Sequence, residues 1–313
     1  MFVEKRRSWI ATVALGGAAL PRIWMRTLTV TVISVAVTFA YREVPALHYS
    51  ITTTPFVLIG LPLGIFLGFR NNAAYDRFWE GRKLWGSLVN TARSLTRQII
   101  TLVEPQPEAD EKAPEAIRAH EVAMVHMLIA YVHSLRHHLR ESDPFSTLDR
   151  LLPEREVTRL RGESNVPIAI VQRIGDLMVD ARRKHWIHPL HVPVVEQSLT
   201  ALTDIQGGCE RIKSTPIPYS YTVLMHRIVA VYCCLLPFGL DETIGWATPI
   251  VVLFISYALF GLDAIGDEIE QPFGLHPNDL PLGTISRAIE ANLRVRIGEE
   301  PPPLFEPRDG VLP

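Results

Sequence analysis

The chain has 313 residues, 48% of them hydrophobic, with 31 Lys and Arg against 33 Asp and Glu and a net charge of −2. That balance provides no basic field to draw nucleic acid, and three cysteines, two of them adjacent, make no disulfide framework. The apolar residues fall in long runs, which points to a membrane rather than to one large soluble core. At the N-terminus Lys5, Arg6 and Arg7 imitate the charged start of a signal peptide, but no clean cleavage site follows. Thr27–Tyr41, Val44–Phe69 and Ile244–Leu262 contain no Asp, Glu, Lys or Arg, and Val223–Leu240 contains only His226 and Arg227. A span needs about 20 mostly apolar residues, so the sequence predicts four. The first borrows Leu20–Trp24, with Arg22 and Arg26 snorkelling to the interface.

The second run continues into a soluble helix, Pro55–Trp85, and carries two stripes. Gly60, Gly64 and Gly68 recur every four residues, and Leu61, Ile65 and Phe69 recur beside them, about 100° round the axis. Glycines at that spacing let another helix approach closely, inside one subunit or between subunits. The bulky stripe contacts lipid or another protein surface. Pro62 removes the bond to the Leu58 carbonyl, which favours a bundle interior, where the freed group finds a partner. The helical pattern runs on to about Leu102, and Asn71, Asn72, Asp76 and Glu80 mark its entry into water.

A polar linker, Glu104–Pro114, precedes an amphipathic helix over Glu115–Arg140. Short helices are expected over Leu151–Arg161 and Val166–Arg183, an irregular segment over Trp186–Pro193, and helices over Val194–Ile212 and Leu282–Ile297. His133 and His137 have a metal-ligand spacing, but no third ligand stands nearby in sequence, and the pair reads as a solvated basic face. Gly207-Gly208 reads as a helix break, and Asp263 after span four is placed to pair with Arg227. No nucleophile elbow, phosphate loop or dinucleotide fingerprint occurs, so the chain is not read as an enzyme, and no cofactor or metal site is expected. The Lys and Arg flanks (Lys5 to Arg7, Arg70 to Lys83, Arg211 and Lys213) put both termini and the middle of the chain in the cytoplasm. Glu43, Asp241 and Glu242 then fall to the outer side.

Three segments, Gly60–Gly86, Gly207–Leu224 and Asp267–Pro281, together resemble the bestrophin family and its bacterial branch. The resemblance implies an all-α membrane protein with four transmembrane helices and a cytoplasmic helical domain, forming a homopentamer around one central pore in the bacterial inner membrane. Its partners are then copies of itself, membrane lipid and small monovalent ions. It makes Leu61, Ile65 and Phe69 the hydrophobic neck of the pore, with Gly60, Pro62, Gly64 and Gly68 packed behind, and sets a cytoplasmic aperture near Leu190. The implied domains are 1–70 (spans one and two with the neck), 71–220 (cytoplasmic), 221–265 (spans three and four), 266–298 (a cytoplasmic segment and helix) and a loosely ordered tail, 299–313.

Animal members follow the Pro-Phe-Gly motif with an acidic run that binds calcium; here Leu275, His276, Pro277, Asn278 and Asp279 follow it, and one Asp is a poor calcium site. Bacterial members are associated with cation passage and animal members with anions; the acidic outer residues lean the reading to cations. The alternative is a membrane scaffold or a secondary transporter without a continuous pore, although no inverted repeat is visible.

Overall fold

The computed structural model describes residues 20–44, 52–109, 113–307 and 311–312. Lys5, Arg6 and Arg7 lie outside the described residues, as does the side chain of Arg22. Among the described residues the secondary structure is helical, apart from an isolated antiparallel bridge between Val103 and Ile187. Two compact units form, one from residues 4–79 and 215–272, the other mainly from 80–214 and 273–313.

The first unit holds α1 (Leu20–Glu43), the start of α2 (Thr54–Leu102), α8 (Tyr219–Ile244) and α9 (Thr248–Ile269). At 49 residues α2 is about 73 Å long at 1.5 Å per residue. Its first bonds run from the Phe56 and Val57 N–H groups to the Thr53 carbonyl. Among the described residues three stretches are long and apolar enough to span a membrane: Ile23–Glu43, Thr54–Leu102 and Tyr219–Ile269. The last of these divides at Gly245, whose φ of +55° ends α8 and lets the chain turn into α9. These two helices cover the two runs, Val223–Leu240 and Ile244–Leu262, that the sequence reading takes separately.

The core of this unit brings Leu63 and Leu67 of α2 together with Val229 and Leu236 of α8 and Val252 and Phe260 of α9. Along the packed pair α1 and α9, the buried faces carry small polar residues, Thr27, Ser34 and Thr38 on one helix and Thr248 and Ser256 on the other. Small side chains bring helix backbones close where lipid offers no hydrophobic drive. The outside is apolar, with Phe39, Val231 and Phe254 exposed, as a surface solvated by hydrocarbon requires.

The second unit contains the rest of α2, then α3 (Ala113–Leu139), α4 (Phe145–Leu148), α5 (Glu154–Leu160), α6 (Val166–Arg183), α7 (Val192–Ser214) and α10 (Leu282–Arg296). Its centre is α3, which packs against α6, α7 and α10. Met124, Leu128, Ile129, Tyr131 and Leu135 are fully buried there, and the Tyr131 hydroxyl donates to the Leu202 carbonyl at 2.7 Å. Asn165 caps α6, its side-chain oxygen accepting from the Ile168 N–H at 3.4 Å, with Pro167 in the first turn.

Several expectations change. Gly207-Gly208 does not break α7, which is continuous from Val192 to Ser214. Gly208 is there for closeness, since a Cβ at that position would stand 2.9 Å from Leu84 Cδ1. The short helix expected over Leu151–Arg161 is present but starts three residues later, at Glu154, because Pro153 takes the position before its first turn after a buried turn at Leu151 and Leu152. Within the segment read as irregular, Pro189–His191 forms one 3-10 turn, and α7 begins two residues early at Val192. His133 is not on a solvated face: it is buried and its Nε2 meets Glu290 Oε2 at 2.8 Å. The tail is tied at its start, because Glu299 bonds His126 at 2.8 Å and Arg294 at 2.6 Å.

Candidate functional site

The face of α2 that packs inside the first unit is Leu63, Leu67, Arg70 and Ala74, all buried. These residues are spaced three and four apart, one stripe of a helix. At about 100° per residue, Leu61, Ile65 and Phe69 point roughly 150–230° away from that stripe. They are 67%, 50% and 62% exposed in the protomer. The three bulky residues therefore stand together on the face opposite the packing face.

The glycines lie on the flank between the two faces. A Cβ on Gly60 would approach the Tyr232 hydroxyl oxygen to 2.6 Å, so that glycine is filled by α8 of its own protomer. Gly64 and Gly68 face open space, with nothing within 4 Å of an added Cβ, and Pro62 is exposed inside the helix. One turn below Phe69 the exposed stripe becomes polar at Asn72 and Asp76. Asp76 is a functional candidate that the sequence reading used only as a sign of water.

Immediately after Phe69, Arg70 turns the other way and is 1% exposed. Its guanidinium donates to Asp263 Oδ1 at 2.8 Å and to Asp267 Oδ1, both on α9. The second oxygen of Asp263 takes His226 Nδ1 of α8 at 2.7 Å, and Arg26 of α1 stands 3.8 Å from the same atom. The four described helices of the unit thus meet at one charge cluster. This corrects the expected partner of Asp263, because Arg227 is exposed while its neighbour His226 faces the carboxylate. Atoms of His226, Asp263 and Asp267 lie within 4.8 Å of one another, a spacing that suits a metal ion. Here the Arg70 guanidinium occupies one oxygen of each carboxylate and supplies the positive charge in place of a metal.

Below the cluster, Arg77 fastens α2 again. Its Nε donates to the Glu270 carbonyl at 3.1 Å and its Nη1 to the Thr215 carbonyl at 2.5 Å. The Glu270 carboxylate in turn accepts from the Ile217 N–H at 2.9 Å. Nothing local in the sequence pairs these residues, since 193 positions separate Arg77 from Glu270.

The other predicted residues are dispersed. Glu43 and Glu242 are exposed at helix ends, whereas Asp241 is 2% exposed and buried in its own unit. Its position on the inner face of α8, beside Leu236 and Pro237, withdraws it from the solvent where the sequence reading put it. Leu190 lies in the other unit, in the 3-10 turn, and is 75% exposed. Asp279, the one acid after Pro-Phe-Gly, is turned inward, and its Oδ2 accepts from the His276 N–H at 2.7 Å.

Residues 1–295 match the family model described as bacterial/fungal bestrophin protein. A voltage-dependent anion channel-forming protein of Ralstonia nicotianae is 40% identical over 301 residues, 96% of this chain and 95% of that one. A voltage-dependent anion channel-forming protein of Escherichia coli K12 is 34% identical over 294 residues, 94% of this chain and 93% of its own. The crystal structure of a bacterial bestrophin homolog from Klebsiella pneumoniae superposes with a TM-score of 0.83 at 35% identity, covering 89% of this chain and 100% of that one. The match extends over the helices of both units and not over one motif alone, and on it the chain belongs to the bacterial and fungal bestrophin family.

Proposed function

We propose that the protein is a membrane ion channel built from five copies around a central axis, with Leu61, Ile65 and Phe69 of each copy forming an apolar neck. One observation carries the reading: the bulky stripe of α2 is exposed and points away from everything its own protomer packs. Gly64 and Gly68, open on the flank, are where an adjacent copy's helix fits closely. Four spans (α1, the first part of α2, α8 and α9) cross a bacterial inner membrane, and the second unit and both termini are cytoplasmic. Leu190 is the proposed second aperture.

An apolar ring excludes ions because stripping water from a charge costs several kcal/mol and nothing in the ring offsets it. Asp76, on the same exposed stripe below the neck, adds an acidic ring in a pentamer and favours monovalent cations, as do Glu43 and Glu242. The buried Asp241 drops out of that argument. The second reading, anion passage, is favoured by the names of the Ralstonia and Escherichia relatives. Calcium control through the segment after Pro-Phe-Gly is not part of the proposal, since Asp279 is engaged within its own turn.

Single-channel recording of the purified protein in bilayers tests the reading. Ile65→Ala and Phe69→Ala are expected to raise the current severalfold, most in the double variant, with the assembly intact. Gly64→Leu is expected to damage assembly instead. Unchanged currents in both alanine variants of intact assemblies overturn the neck. Reversal potentials in asymmetric salt, taken in the same recordings, decide between cations and anions.

A further inference from the structure

Within the second unit a cavity of about 260 Å³ opens between α3, the turn after α4, α10 and the segment after Gly298. Four arginines line it, Arg136, Arg150, Arg287 and Arg294, against two carboxylates, Glu290 and Glu300. Those carboxylates do not answer the arginines evenly. Glu290 accepts from His133 at 2.8 Å and from Arg294 Nε at 3.0 Å, and it lies 3.5 Å from Arg287 Nη1. Arg294 also holds Glu299 at 2.6 Å, so its charge is answered by two carboxylates.

The other three arginines have donors to spare. Arg136 is half-buried, and its hydrogen bond is to His137 Nε2 at 2.6 Å, a neutral ring rather than an acid. Arg150 has no ion pair among the described residues, and the Nε of Arg287 is buried with no acceptor, its guanidinium lying 5.2 Å from the Phe305 ring centre. Burial, then repulsion from Arg140 and Arg287, pushes the Arg136 pKa down to about 10. A guanidinium that is desolvated and crowded by its own kind marks a site short of negative charge. Arginine forks match oxyanions with several oxygens in one group.

We propose that this cavity is a binding site for a small phosphate-bearing anion, with Arg136, Arg150 and Arg287 as its ligands and Glu290 as the brace that orients the arginines. The volume admits inorganic phosphate, pyrophosphate or the phosphate end of a small metabolite. A tetrahedral group with three or four free oxygens satisfies three forks converging from α3, the α4 turn and α10 better than one planar carboxylate does. The site lies wholly in the second unit and does not depend on the pore reading.

The test uses the full-length protein in detergent, by isothermal titration calorimetry and thermal unfolding with sodium pyrophosphate and sodium phosphate, against sodium chloride at equal ionic strength. Saturable binding of either phosphate and a rise in melting temperature absent with chloride are expected. Pyrophosphate binding alone assigns the site to a diphosphate, and binding of both assigns it to a single phosphate group. Arg136→Gln is expected to weaken binding at least tenfold. Arg150→Gln, at an exposed position where folding is not at stake, is expected to do the same, and Arg183→Gln, exposed on α6 away from the cavity, to leave it unchanged. No saturable phosphate binding overturns the site, as does binding that Arg150→Gln leaves intact or that Arg183→Gln weakens equally.

Discussion

Arg70 is the residue through which the helices of the first unit are joined, and its position on α2, one residue past Phe69, determines what its loss would do. Its charge is fully buried, and Asp263, 1% exposed, is the buried one of its two counter-charges. Removing Asp263 leaves the buried Arg70 with the partly exposed Asp267 as its remaining carboxylate, a loss toward the lower end of the about 3–5 kcal/mol that breaking a buried pair costs. Asp263→Ala is therefore expected to lower the melting temperature of the detergent-solubilised protein sharply, measured by tryptophan fluorescence. Arg70→Met combined with Asp263→Leu is expected to recover most of the loss, since apolar side chains of similar size need no partner. A single variant as stable as the parent removes Arg70 from its anchoring role. The residues of this cluster are visible in the sequence as isolated charges beside apolar runs, but their pairing is not. Helical periodicity says that His226 and Arg227 point about 100° apart; it does not say which of them meets Asp263. His133 had the same fault, since its partner Glu290 is 157 residues away on α10.

At the scale of the element, α7 makes the most direct test, because two adjacent glycines do different things. Gly207 faces open space, so Gly207→Ala is expected to stabilise by about 0.5–1 kcal/mol through the unfolded chain and helix propensity. Gly208 is in contact with Leu84, so Gly208→Val is expected to destabilise by about 1–3 kcal/mol through overpacking. Chemical denaturation of the two variants checks the opposite signs. The sequence could be read for helices where composition is extreme or caps are explicit. The end of α2 at Leu102 and the whole of α6 follow from uninterrupted periodicity and from the Asn165 and Pro167 start. It misled at Gly207-Gly208 because propensity counts glycine as a breaker, while tertiary contact uses it as a gap. Over Leu151–Arg161 it placed the start three residues early, because the apolar Leu151 and Leu152 precede Pro153 and the helix begins only after it. The bulky stripe was legible as a stripe; its exposure opposite the packing face needed the rest of the unit in place.

For the molecule as a whole, acid sensitivity should originate in the second unit. Burial lowers the pKa of His133, and burial together with Arg136 pushes His137 down to about 4. Both imidazoles stay neutral when folded at pH values where the unfolded chain protonates them. Between about pH 6.5 and pH 4 the unfolded state binds more protons, so stability falls as pH falls, by about 2 kcal/mol for His137 after allowance for its partial exposure. Burial opposes ionisation of Glu290, but its bonds from His133 and Arg294 hold its pKa at about 2. It adds stability that is complete above the unfolded carboxylate range and is lost as pH falls from about 4.5 toward 2. Unfolding curves from pH 7.5 to pH 4 should show the decline, and His137→Gln should flatten it; an unchanged slope would sink the assignment. One further consequence concerns the order in which the chain is made. Arg70 and Asp263 are 193 residues apart, and the larger part of the second unit, residues 80–214, is synthesised between them. A ribosome that has delivered α1 and α2 has delivered a buried-type cation without its anions, next to the most apolar part of the helix. Until α8 and α9 emerge, that guanidinium has to remain at the water interface. The last two helices of the unit therefore act as the closing step of its assembly: they bring the carboxylates that neutralise Arg70, and only then can the first helices be buried at that level.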